Sequence, residues 1–145
     1  MNRERLQRVA DLMRSIDPAK FDLDVWQRQY SCGTVACAVG YAAFDPAFIA
    51  EGFTLQPHAY PDEPRERGWL EPRYQDLTAW DAVNAFFDIE DRRIDARDYY
   101  YDEEEVYESV KLCNYFFVSD YYPNLSQTTP LEVTERIEAY LKEHA

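Results

Sequence analysis

Apolar side chains recur at helical spacing along the first sixteen residues. Leu6, Val9, Met13 and Ile16 fall on one stripe, and Arg3, Arg5, Arg8 and Arg14 lie off it. The pattern predicts a helix over about residues 4–16. Asp17-Pro18 ends it, because the residue before a proline avoids the α region. Phe21, Leu23, Val25 and Trp26 then bring the chain back onto the core. Residues 34–44, TVACAVGYAAF, are apolar on every side, which predicts a buried central helix. Asp45-Pro46 closes it, Pro46 opens a short helix through Ala50, and residues 53–56 read as a short extended piece. Residues 56–74 hold Pro57, Pro61, Pro64, Pro72 and the charged run PDEPRERG, and read as a long loop.

Thr78 is placed as the N-cap of a helix over 79–88, with Trp80, Val83 and Phe87 on its apolar stripe. Residues 99–122 leave two readings open. One is a helix over 103–116, with Val106, Val110 and Cys113 on one side. The other is a set of short aromatic strands. Near the end, Thr129, Pro130 and Glu132 form the start signal of a capping box. Val133, Ile137, Tyr140 and Leu141 supply the stripe of a helix over 130–143. These elements point to a mainly α fold, with room for the few short strands of an α+β variant. The expected architecture is a single domain over 1–145, a compact helical bundle around the buried central helix. Ala36, Gly40 and Ala43 are small and lie close to one face of that helix, so a second helix is expected to pack closely there.

Composition supports a folded chain, since 46% of residues are hydrophobic and 16% aromatic. Charge adds more. There are 28 acids against 15 Lys and Arg, a net charge of −13. Residues 1–73 carry 11 acids and 9 bases, whereas residues 74–145 carry 17 acids and 6 bases. Nearly all the excess acid therefore lies in the second half. Direct binding to nucleic acid is disfavoured, because that affinity comes from Lys and Arg neutralising phosphates. Anionic membranes are disfavoured for the same reason. A basic protein surface is the expected partner instead. No apolar run is long enough to span a bilayer, and the N-terminus has no apolar signal-peptide core. Three cysteines, an odd number, suggest reduced thiols in the cytoplasm of a bacterium or of an infected bacterial host.

No catalytic residue is assigned: Cys32 is the one candidate, and the competing reading gives its segment a packing role. Cys32 precedes the expected central helix, and a helix N-terminus favours the thiolate. Its possible supporting bases are few: His58 lies in the Pro-rich segment and His144 next to the last residue. Cys32 and Cys37 are five apart and fall on different sides of a helix, so no metal site is expected. Sequence signatures for nucleotide loops, zinc proteases and EF-hands are absent, and no cofactor is expected.

The interleaving of acid and aromatic residues near 98–122 is the better functional signal. Tyr99, Tyr100, Tyr101, Asp102, Glu103, Glu104, Glu105, Tyr107 and Glu108 would form a binding face suited to a basic groove. The competing reading puts these tyrosines in the core and the acids in solvent. The segments Cys32 to Gly40, CGTVACAVG, and Trp80 to Phe87, with the terminal TTPLEVTERIEAYL, resemble a group of small, mostly uncharacterised bacterial and phage proteins. These share a Cys-Gly-Thr-x-x-Cys-x-x-Gly core. The resemblance implies no activity. Against it, residues 90–113 read as an insertion. By analogy with small acidic phage proteins, the expected function is non-enzymatic binding or inhibition. Its target would be a basic nucleic-acid-binding surface of a host defence system, in the manner of an anti-CRISPR protein or DNA mimic. The alternatives are a cysteine-dependent enzyme using Cys32 and a homo-oligomeric scaffold, with a homodimer as its simplest form.

Overall fold

In the computed structural model the described residues are 1–30, 33–58, 69–95 and 109–145. The stripe at the N-terminus forms helix α1 (Arg3–Met13), capped by Asn2, whose side chain accepts from the N–H of Arg5. Leu6, Val9, Ala10 and Met13 are buried. They pack on the last helix, α6 (Pro130–Glu143), through Val133, Ile137 and Leu141. Burying such a side chain contributes about 1.5–3 kcal/mol. The hydroxyl of Thr134, fully buried, donates to the carbonyl of Ala10 at 2.8 Å and so needs no water. Thr129 caps α6 by accepting from the N–H of Glu132. The capping box is only half formed, because the Glu132 carboxylate accepts from Asn124.

The central helix of the expected bundle does not exist as such. Residues 33–36 are strand β2 (Gly33–Ala36), paired antiparallel with β1 (Gln27–Tyr30) in the register Gln27 to Ala36 and Tyr30 to Gly33. Thr34 and Val35 are β-branched and favour that conformation. Helix α2 is only Ala38–Ala42, and Cys37 is its N-cap, with Sγ accepting from the N–H of Gly40 at 3.4 Å. Gly40 is buried, but its nearest neighbour is not a second helix. A Cβ on Gly40 would lie 1.8 Å from the carbonyl oxygen of Trp26. The close contact is with the stretch leading into β1.

Helix α3 (Pro46–Ala50) follows, then a three-stranded antiparallel sheet, β3 (Phe53–Pro57), β4 (Leu70–Tyr74) and β5 (Leu77–Thr78). Much of the segment read as loop is therefore strand at its far end. Pro72 is tolerated opposite Leu55, because β5 pairs only with Arg73 and Tyr74 and leaves β4 with an open edge at Pro72. Helix α4 (Ala79–Phe87) covers this sheet. Its Phe86 stacks on Phe53 at 4.3 Å and meets Phe48 edge-on at 5.1 Å. Two residues occupy β6 (Arg93–Ile94) and two occupy β7 (Val110–Lys111), and they pair antiparallel. The expected helix over 103–116 is replaced, where described, by β7 and the buried helix α5 (Leu112–Phe117).

Six α-helices and three small sheets among the described residues make an α+β fold, correcting the mainly α bundle. Among these residues no helix is long and apolar enough to cross a membrane.

Two outcomes follow from this packing. Gly40→Ala should cost about 1–3 kcal/mol in urea unfolding, since the added methyl meets backbone that cannot step aside cheaply. A neutral result would mean that the Trp26 stretch is free to move. Asp45, 6% exposed, accepts from both Nε and Nη2 of Arg8. That hydrogen bond, with the charge of Arg8, holds its carboxyl below the ordinary range. The pair therefore stabilises the fold above the unfolded carboxyl value of about 3.9 and loses its effect as pH falls through the lowered one. Asp45→Asn should cost about 1–2 kcal/mol near neutral pH, and the difference from wild type should shrink in strong acid.

Candidate binding surface and cleft

Every residue of the expected binding face, Tyr99, Tyr100, Tyr101, Asp102, Glu103, Glu104, Glu105, Tyr107 and Glu108, lies outside the described residues, as does Cys32. The strands that flank this segment in the sequence are described. Ile94 of β6 and Val110 of β7 are register partners, so the intervening chain leaves and returns at one point of the fold. The backbone N–H of Leu112 donates to the carbonyl of Arg92 at 2.9 Å and extends this join. Glu90 and Asp91, just before it, are exposed.

The cations of α1 point to the fold's own acceptors. Arg3 donates to the carbonyls of Leu141 and His144, at the C-terminal end of α6 where helix carbonyls lack partners. Arg5 donates to the carbonyl of Phe86 at 2.7 Å and to Glu51 at 2.8 Å. Arg8 pairs with Asp45, and Arg14 pairs with Glu138. On α6, Arg136 donates to the carbonyls of Tyr115 and Tyr121 and lies 3.6 Å over the ring of Tyr122.

The described cysteines are poor nucleophiles. Cys37 is 2% exposed, and burial pushes its thiol up to about 12. Burial also raises Cys113, partly offset by hydrogen bonds from the backbone of Asn114 and the side chain of Asn84. Since the thiolate is the reactive form, neither suits catalysis. Among the described residues no cluster of three or more His, Cys, Asp or Glu side chains is arranged to hold a metal ion.

A feature missed in the sequence lies between the 24–28 stretch and the β3–β4 hairpin. A cleft of about 240 Å³ is lined by Asp24, Trp26, Arg28, His58, Trp69 and Leu70. The guanidinium of Arg28 lies 4.0 Å over the ring of Trp69. Trp26 packs on Trp80 with ring centroids 4.7 Å apart, so all three tryptophans of the chain gather at or beside the cleft. The N–H of His58 donates to the carbonyl of Trp69 at 2.8 Å, one rung past the Pro57 to Leu70 pair. That rung makes Glu71 the diagonal neighbour of His58. His58 Nε2 stands 3.6 Å from the carboxylate of Glu71, which is 5% exposed. Only the strand register brings His58 to Glu71, and the prolines conceal that register in the sequence.

With Cys32→Ala in place, folded protein should label slowly with iodoacetamide near neutral pH, and denaturant should release two reactive thiols. Fast labelling of the folded variant would contradict the buried placement of Cys37 and Cys113.

No protein-family model, no curated protein and no solved structure matches this chain.

Proposed function

We propose that the protein is a non-enzymatic binding protein that presents an acidic, tyrosine-rich face to a basic protein surface. On this reading it acts in the cytoplasm of a bacterial host as an inhibitor encoded by a phage or mobile element. Its target is the nucleic-acid-binding surface of a defence complex, where carboxylates stand in for phosphates in the manner of an anti-CRISPR protein or DNA mimic. It binds neither nucleic acid nor membrane directly.

The observation that carries the proposal is the β6–β7 join. A segment with six acids and four tyrosines between Arg97 and Ser109 is attached to the core through paired strands that enter and leave side by side. Such an attachment lets a fold carry a recognition segment at little cost in loop closure. The charge layout supports the same reading. Arg3, Arg5 and Arg8 of α1 and its C-cap Arg14 are engaged within the fold, whereas Glu90 and Asp91 beside the join are exposed. An acidic field of this kind speeds encounter with a basic partner and weakens with salt.

The test is capture from bacterial lysate at low and high salt, followed by binding kinetics on the captured protein. Glu103→Lys with Glu104→Lys should slow association roughly tenfold at low salt, and nucleic acid should compete with the wild type. Tyr107→Ala should hasten dissociation. Equal association of wild type and the charge-reversed variant at low salt would reduce the acidic run to solvated surface.

A further inference from the structure

The arginines of α1 have acceptors, but Arg28 differs. Among the described residues it makes no ion pair, in a chain with 28 acids. Among the described residues its side chain makes one hydrogen bond, a long contact of 3.4 Å to the hydroxyl of Tyr30. Its Nε is buried with no acceptor. The imidazole of His58, on the same cleft, turns Nε2 toward Glu71 and leaves Nδ1 buried, also without a partner among the described residues. Buried polar atoms are ordinarily satisfied, and two exceptions on one cleft point to a missing ligand. The larger depression along α1, about 530 Å³, gives no such signal, because its Arg5 and Arg8 are already paired with Glu51 and Asp45.

We propose that the cleft binds a small aromatic hydroxy acid. Its carboxylate accepts from the guanidinium of Arg28. The flat ring lies against Trp26, Trp69 and Leu70, and the hydroxyl meets Nδ1 of His58. Each part follows from the lining. A guanidinium offers a rigid planar fork that matches a carboxylate, and the Trp69 ring already packs against it at 4.0 Å. A hydroxyl both donates and accepts, so it satisfies Nδ1 in either tautomer of His58. A phosphate fits less well. Asp24 lines the cleft, Glu71 stands behind His58 and the chain is −13 overall, so a second negative charge on the ligand is opposed. About 240 Å³ is also smaller than the usual site for drug-sized ligands or nucleotides, and suits one ring with short substituents.

The experiment needs no protein partner and is independent of the acidic face. Wild type is titrated with 4-hydroxybenzoate, benzoate, inorganic phosphate and benzylamine while the indole N–H signals of the three tryptophans are followed by NMR. The expected result is saturable shifts of Trp26 and Trp69 with 4-hydroxybenzoate, weaker binding of benzoate, and little response to phosphate or benzylamine. Arg28→Gln should weaken 4-hydroxybenzoate at least about tenfold, the scale of a lost charged hydrogen bond. His58→Phe should remove the advantage of 4-hydroxybenzoate over benzoate while leaving benzoate bound. Arg28→Lys, which keeps the charge but loses the fork, should also weaken binding and replaces Arg28→Gln if that variant does not fold. The proposal is overturned by absence of saturable shifts, by phosphate or benzylamine binding as well as the acid, or by unchanged affinity in the Arg28 variant.

Discussion

The contact between Gly40 and the backbone at Trp26 is the constraint on which most of the arrangement depends. Without a Cβ at residue 40, the carbonyl of Trp26 sits directly on α2. Hydrogen bonds hold the stretch there from both sides. The N–H of Cys37 donates to the carbonyl of Val25 at 2.9 Å, and the N–H of Asp22 donates to the carbonyl of Ala36 at 3.1 Å. The 22–26 stretch is thereby fixed before β1 begins. Asp24, Trp26 and Arg28 owe their places to it. Trp26 also packs on Trp80, the second residue of α4, and so joins this part of the molecule to the aromatic core of Phe48, Phe53 and Phe86.

Around that core the charges divide by task. The guanidinium groups of α1 reach α6, α4 and the turn before α3, where they neutralise helix-end carbonyls or buried carboxylates. One row of side chains thus brings together elements far apart in sequence. Among the described acids of the second half, Asp76, Asp81, Glu90, Asp91 and Asp120 are exposed. Charges exposed in this way are separated by water and screened by salt, so they weigh little on a small core.

The sequence showed best those elements whose stripe has one exposed side. Helices α1 and α6 have a polar face, so their periodicity is sharp, and Pro130 with Thr129 marks a start that the structure reproduces. Residues 34–44 are apolar throughout and carry no period. Strand and helix are then indistinguishable by pattern, and the β-branched pair Thr34 and Val35 was the only local hint of β2. β4 was concealed because Pro72 reads as a breaker unless the edge position is known. The importance of Gly40 was correctly expected, but its partner was not, since a glycine shows that something comes close and never what. The cleft was out of reach for the same reason. His58, Arg28 and Trp69 are far apart in sequence, and only two separate strand registers bring them together.

Native-state hydrogen exchange of the Cys37 amide, followed against low denaturant concentrations, tests the Gly40–Trp26 constraint most directly. The Cys37 N–H exchanges only when the 22–26 stretch lifts off α2. If that contact anchors the fold, Cys37 should exchange with the same free energy and denaturant dependence as the buried amides of α1 and α6. Exchange of Cys37 through a small, denaturant-independent opening, while α1 and α6 stay protected, would show that the stretch is a detachable flap and would contradict its role.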